Sequence, residues 1–541
     1  VNALLSSAAR RLLVPAAGAG ALQSTQKQSQ QTSITKCDSA NTYRRPNVGA
    51  TNIRKRMTSI GRFSMISETV ENPSIPTFFI ALSGKADMED MNQQWKKKGI
   101  LEKHERFQST ICSDDNRYFK RNPDASQFED YASTTFHSTT YRTDLKNRIQ
   151  HFLTSKMDMS EKLWEAQISS GALGSSGAIS KQKVRRILEE ADEVSPPDTE
   201  TLLLFRSHHA LADGVSLGSV MYQASDEAEL IGEKIEQQIQ LYKQKSKRRK
   251  KTMSAYQKFL RILAMFWKAV ISLLKHGILV LTSSNPFDVI MTQSSIGAGR
   301  RSVSWCDACT VEEAKQIAKV LCPGSTVNDL FVSCVMAAVA RQLQNHHSKL
   351  ALSSSLQPAV PRSLNVVIPV HLTGGVLLPG EGIGNRIGAF VSSISTDYLP
   401  SSESYSSPEN LSVVSQSLAE SKSSPAALIS WMAAKFCSDY LPEAMTKIIM
   451  RSANANAVCV VSNVRSPAEL KLHYNGRPVE SIAGFLPLPP GVPIGVVVQS
   501  YQGTMSLTVT ADKRAVPDAD QFLYWVLEEY QRLSDLAKVA S

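Results

Sequence analysis

The chain has 541 residues, a formal charge of +11 and 42% hydrophobic residues. That length exceeds one ordinary core and suits two domains with extensions. The charge does not imply a nucleic-acid partner. Much of it lies in one run, Lys243 to Lys251, and in the N-terminal tail. Such runs are more often tails, linkers or anionic-membrane contacts than base-reading surfaces.

In chain order, residues 1–66 read as a disordered or targeting extension. They are rich in Ala, Ser and Gln, and the first acidic residue is Asp38. An acid-poor, Arg-bearing start suits either an organelle transit peptide or plain disorder. The chain opens on Val rather than Met, so a segment upstream is expected.

Residues 67–240 alternate strand and helix signals and read as a first α/β unit. "TFFIALSG", "KLWEAQISSG" and "TLLLFRSHHAL" predict strands, and "DMEDMNQQWKKK" and "SKQKVRRILEEADE" predict helices. Residues 241–300 form a basic, amphipathic crossover. A long helix ends in the basic run, and a second spans Ser254 to Ser284 with a Lys/Arg stripe and a wide apolar face. Its charges argue against a membrane span, leaving an interfacial helix or a packed crossover. Lys247, Arg248, Arg249, Lys250, Phe266 and Trp267 are the expected membrane contacts.

Residues 301–541 form a second α/β unit. Helices are expected at "VEEAKQIAKVL", "TVNDLFVSCVMAAVARQL" and "DADQFLYWVLEEYQRLSDLAK". Strands are expected at "LNVVIPVHL", "GAFVSSIST", "AVCVVSNV", "IGVVVQSY" and "TMSLTVTAD". Cys306 and Cys309 form a C-x-x-C, but no second pair follows at zinc-site spacing.

The chemistry is concentrated in "SHHALADGVS". His208 and His209 end an apolar strand, and Asp213 and Gly214 follow. An imidazole at such a junction can be held neutral and offered to a pocket as a base. Asp213 would be costly to bury alone, so an arginine partner is expected. Gly214 suits a tight turn or a close ligand approach. A second pair, His346 and His347, lacks the Asp-Gly and reads as a solvated helix end. No Cys or Glu near the first pair supports a metal site, and no G-x-S-x-G elbow supports an acyl-serine.

H-H-x-x-x-D-G resembles the active-site motif of the CoA-dependent acyltransferase superfamily. The ordered set of further segments resembles its wax ester synthase/diacylglycerol acyltransferase branch. These are "LWEAQISSG" (with Lys162 where proline is usual), "TVNDLFVS" with Asn328 and Asp329, and "IPVHL" followed by "GIGNRIGAF" with Gly384 and Asn385. "VVSNVRSP" follows, departing at Arg465, and then the Ser500–Tyr501 strand pair ending in Asp512.

The resemblance implies two chloramphenicol-acetyltransferase-like subdomains with a tunnel between them. It implies acyl-CoA as co-substrate, with no permanently bound cofactor, metal or acyl-enzyme. His209 would deprotonate the acceptor hydroxyl, and His208 would support the loop. Asn328, Asp329, Gly384, Asn385, Ser500 and Tyr501 would shape the pocket, with plain helix N-capping as the alternative for Asn328 and Asp329. The acceptor would be a long-chain alcohol or diacylglycerol, met at the endoplasmic reticulum or a lipid-droplet surface. A non-catalytic lipid-binding subunit and transfer to a small soluble alcohol or amine are the competing readings.

Overall fold

The computed structural model describes residues 54–540, apart from 123, 135–141, 171–198, 252–253, 352–360, 374, 376–381, 401–405, 455 and 466–469. The helix predicted within 180–193 therefore lies outside the described residues.

The first half contains β1 (Arg54–Arg56), α1 (Ser59–Ser67), β2 (Thr77–Ser83), α2 (Met88–Lys98), α3 (Ile100–Lys103), β3 (Ser109–Ile111), β4 (Tyr118–Arg121), β5 (Ala132–Thr134), α4 (Arg142–Thr154), β6 (Trp164–Ser170), β7 (Thr199–Ser207) and α5 (Gly214–Ala224). The crossover is α6 (Ala228–Lys251), α7 (Ala255–Thr282) and α8 (Phe287–Gln293). The second half contains β8 (Arg301–Thr310), α9 (Val311–Leu321), α10 (Val327–Ala351), β9 (Ser363–His371), β10 (Ile387–Ser395), α11 (Asn410–Ser423), α12 (Ala426–Tyr440), α13 (Glu443–Asn454), β11 (Ala457–Arg465), β12 (His473–Tyr474), β13 (Arg477–Phe485), β14 (Ile494–Tyr501), β15 (Thr504–Asp512) and α14 (Ala519–Ala540).

Two six-stranded sheets carry the fold. One runs β10-β9-β11-β14-β15-β8, the other β12-β13-β2-β7-β6-β5. The second order breaks the division at residue 301. β13 comes from the C-terminal half, yet it pairs antiparallel with β2, Phe485 opposite Thr77 and Gly484 opposite Phe78. A sequence-contiguous second unit was therefore the wrong boundary. β2 is apolar on both faces and needs a neighbour on each side, and β7 supplies only one.

The first boundary also moves. The extension expected to reach residue 66 gives way at Arg54, because α1 buries Ile60, Gly61, Arg62 and Ile66. Thr58 caps it, its side chain accepting from the Gly61 amide. The three helices α11 to α13 carry no element in the sequence reading.

The Leu-Trp segment is a packing centre. Trp164 stacks on Trp95, Tyr131 and Phe205, with ring centroids 5.2, 4.5 and 5.2 Å away, and donates to the Phe107 carbonyl at 2.8 Å. The Lys162 amide donates to the Asp158 carbonyl at 3.0 Å. Proline has no such donor, so this turn suits lysine.

α7 lies on the surface. The stretch Leu263–Gln293 is long and apolar enough to cross a membrane, and none of its most apolar window is buried. The sequence reading set that aside because of Lys268 and Lys275. His346 also departs from expectation: it lies within α10, and its ring meets the Ala515 carbonyl at 2.7 Å.

Candidate active site

β7 delivers the histidine pair to the gap between the sheets. As the strand ends, the His208 amide donates to the Leu163 carbonyl and the His209 amide to the Ser74 carbonyl, both at 2.8 Å. The Leu211 amide returns to the His208 carbonyl at 3.0 Å, closing a turn. Asp213 then caps α5, its Oδ1 accepting from the Ser216 amide at 2.8 Å.

The turn docks against "IGNR" from the other half. The Asp213 amide donates to the Gly384 carbonyl at 3.1 Å, and Ser216 Oγ donates to the same oxygen at 2.9 Å. Asn385 Nδ2 donates to the carbonyls of His209 (2.9 Å) and Ala210 (3.5 Å). Those two acceptors fix the amide orientation, so Asn385 Oδ1 faces His209 Nδ1, 3.0 Å away. Oδ1 can only accept. The proton therefore sits on Nδ1, and Nε2 keeps its lone pair.

Burial lowers the His209 pKa below its ordinary value, and His208 adds to the lowering. The charge of Asp213 and the Asn385 hydrogen bond offset part of it. The ring is thereby held as a neutral base near pH 7. His208 is buried and serves structure. Its Nδ1 accepts from the Ala210 amide at 3.0 Å, and its Nε2 lies 2.9 Å from Glu68 Oε1. Glu68 also accepts from the Ser74 amide at 2.9 Å. Burial pushes the Glu68 carboxyl upward, but His208 and the Ser74 amide outweigh it and hold it below its usual range.

Among the described residues, Asp213 does not meet an arginine side chain as expected. Its Oδ2 accepts from the backbone amide of Arg386 at 2.8 Å and lies 3.6 Å from His371 Nε2. Two main-chain donors satisfy the carboxylate without a buried guanidinium. Gly214 has no left-handed backbone, and a Cβ there would meet nothing within 4 Å. It leaves open space at the cavity wall rather than serving a turn. Close approach is instead required at Gly61, where a Cβ would stand 2.8 Å from the Ala210 carbonyl.

His209 and Gly214 line a cavity of about 1130 Å³ between the sheets. Its wall is mostly apolar, with Phe78 and Ile80 from β2 and Val367 and Val497 from the other sheet. Ser462, Asn463 and Gln499 bring polar groups from the second half.

Several expected pocket residues stand elsewhere. Asp329 caps α10: the Thr326 amide donates to Asp329 Oδ2 at 2.9 Å and the Asp329 amide to Thr326 Oγ1 at 3.3 Å. Asp329 also accepts from Lys422 at 2.5 Å. Neither Asn328 nor Asp329 lines the cavity; the capping alternative describes Asp329, whereas Asn328 Oδ1 is buried without a hydrogen-bond partner among the described residues. Tyr501 is buried in the core of the first half, donating to the Val479 carbonyl at 2.9 Å and accepting from the Leu472 amide at 3.0 Å. Ser500 is likewise off the cavity, whereas its neighbour Gln499 lines it. Lys247, Arg248, Arg249 and Lys250 fall on α6, but their side chains lie outside what the structure describes. Phe266 and Trp267 are exposed on α7. Among the described residues, no group of three or more His, Cys, Asp or Glu is placed to hold a metal ion.

Glu68 and His371 were missed. His371 ends the apolar run "VVIPVH" as His208 ends "TLLLFRS", so the same signal was present. Glu68 carries no local signal.

Residues 383–534, which include Gly384 and Asn385, match the WS/DGAT C-terminal domain family. The match covers the C-terminal part of the chain and marks the protein as an acyltransferase. No curated protein sequence matches it. Solved structures share the two-sheet fold. The wax ester synthase/diacylglycerol acyltransferase of Marinobacter aquaeolei VT8 is 14% identical with a TM-score of 0.52, over 90% of this chain and 100% of that one. The TRI3 trichothecene 15-O-acetyltransferase of Fusarium sporotrichioides is 12% identical with a TM-score of 0.55, over 89% and 94%. The first condensation domain of the calcium-dependent antibiotic synthetase is 10% identical with a TM-score of 0.50, over 90% and 96%.

Proposed function

We propose that this acyltransferase moves a fatty acyl group from acyl-CoA to a lipid hydroxyl, with His209 as general base. The acceptor is a long-chain alcohol or diacylglycerol and the product a wax ester or triacylglycerol. The observation that carries this is the Asn385 clamp: it puts the proton on Nδ1 and leaves Nε2 basic beside a large apolar cavity.

In the reaction, Nε2 accepts the hydroxyl proton as the oxygen attacks the thioester carbonyl carbon. The carbonyl electrons move onto oxygen, and Ser462, Asn463 and Gln499 are the candidate donors to that oxyanion. The intermediate collapses, the C–S bond breaks, and the CoA thiolate takes the proton back from the imidazolium. No covalent enzyme intermediate is needed.

The reading includes peripheral attachment to a membrane, such as the endoplasmic reticulum or a lipid-droplet surface. The C-terminal end of α7 is tied to the body, since its Leu279 and Val280 carbonyls accept from Asn456 at 3.0 and 3.1 Å, while most of its apolar side chains are exposed. A helix anchored to the body at one end and carrying a Lys/Arg stripe beside its apolar face suits lying on a bilayer better than crossing it. Flotation with anionic liposomes should weaken with salt and be lost when Lys247, Arg248, Arg249 and Lys250 are changed to Glu. Protein released only by detergent would mean a span.

Purified protein with labelled palmitoyl-CoA and mixed acceptors should yield labelled wax ester or triacylglycerol. Label only on a small soluble alcohol or amine would overturn the lipid acceptor. No labelled product with any acceptor would favour a non-catalytic lipid-binding role.

A further inference from the structure

One side of the cavity is walled by α7, α12 and α13. Their inward residues include Ser272 and His276 on α7, Ser430 and Ala434 on α12, and Met450 and Ala453 on α13. Their outward residues are apolar. Met432, Phe436 and Tyr440 follow one another every fourth residue on α12, and Met445 and Ile448 continue the patch on α13 beside the apolar face of α7. None of these five lines the cavity. An exposed apolar surface spread over three helices is more than isolated exposed side chains require.

Three side chains belong to both surfaces. Ile271, Leu273 and Ile449 line the cavity yet are 49%, 55% and 41% exposed. The cavity therefore opens through an aliphatic rim in the middle of an apolar patch. A water-soluble substrate gains nothing from such a threshold, whereas an alkyl chain can cross it without meeting water.

The charges on this face have one prevailing sign. Lys268 and Lys275 are exposed at the cavity edge, and Lys447 and Arg451 are exposed on α13. The acidic groups of these helices are paired with α1: Glu443, itself exposed, lies 3.6 Å from Arg62, and the half-buried Asp439 accepts from Ser59 at 2.8 Å. An apolar surface fringed by cations fits an anionic bilayer.

We propose that α7, α12 and α13 form one membrane-facing platform, and that the lipid acceptor enters sideways from an anionic bilayer through the rim at Ile271, Leu273 and Ile449. The proposal rests on the acyl-transfer reading above; it adds α12 and α13 to the contact and fixes the entry route.

The test uses the full chain and a Phe436→Asp/Ile448→Asp variant, whose changed residues are exposed and off the cavity. The vesicles are phosphatidylcholine with phosphatidylserine and dioleoylglycerol, and the second acceptor is a short alcohol delivered from water. The variant should bind vesicles about tenfold more weakly or worse, because two apolar contacts are replaced by charges facing anionic lipid. It should lose transfer to vesicle-borne dioleoylglycerol in proportion, and keep its rate with the short alcohol. Unchanged vesicle binding, or equal loss with both acceptors, would overturn the platform. So would wild-type protein that stays off vesicles and self-associates through this patch. Wild-type protein inactive with both acceptors would instead sink the acyl-transfer reading, while vesicle binding would still report on the platform.

Discussion

Asn385 decides which nitrogen of His209 carries the proton, and it does so from the opposite half of the chain. His209→Ala should lower turnover by about a hundredfold or more while the thermal transition stays in place, since general-base assistance contributes about that much. Asn385→Asp makes a sharper test. A carboxylate beside Nδ1 favours the imidazolium, so the acid limb of the kcat/KM profile should move to higher pH. The wild-type limb should lie below about 6.5, the ordinary histidine value, because burial lowers His209. The same shift has a stability consequence. Above about pH 6.5 neither the folded nor the unfolded chain protonates this ring. Below it the unfolded chain takes the proton first, so stability falls as pH falls until the folded ring titrates. Asp213→Asn should cost about 1–3 kcal/mol, seen as a lower thermal midpoint, because one of the two amides it now accepts from is left without an acceptor. A full-stability Asp213→Asn enzyme would contradict that role. The histidine motif was legible because one short segment carries strand, turn and cap signals together. Glu68 and Asn385 Oδ1 act across sequence separations that no local pattern encodes.

At the scale of elements, two of the helices missed in the sequence reading, α12 and α13, do not point all their apolar side chains inward. α12 and α13 expose Met432, Phe436, Ile448 and Ile449, so their apolar periodicity does not mark a single core-facing stripe. By contrast α9 buries Ala314, Ile317 and Ala318 on one stripe and was legible. α12 is held against β10 by an absence of side chain. A Cβ on Gly388 would stand 1.9 Å from the Ala427 carbonyl. Gly388→Ala must push the start of α12 away from the sheet, at about 1–3 kcal/mol by analogy with overpacked cores. Because Gly388 also lines the cavity, the variant should change acceptor chain-length preference as well as lower the thermal midpoint. A variant with wild-type stability would show that α12 is not seated there.

At the scale of the molecule, fold class was legible and domain boundaries were not. The α/β alternation identified two units, but strand exchange between sheets leaves no mark in periodicity, and "RPVESIAGF" carries no element in the sequence reading. The exchange predicts that residues 54–300 produced alone are insoluble, because β2 then shows an unpaired apolar edge. Co-expression with residues 301–541 should restore soluble protein that purifies as a complex. Soluble, monomeric 54–300 would contradict this. The same strand limits how the enzyme can move. β13 is bonded to β2 in one sheet, and β14 begins at Ile494 in the other, so the connecting chain is a short tether across the cleft. A clamshell opening about a hinge would have to strip β13 from β2. On the proposed reading, reactants would then pass through fixed openings, and a water-insoluble ester would leave the way an oily acceptor came.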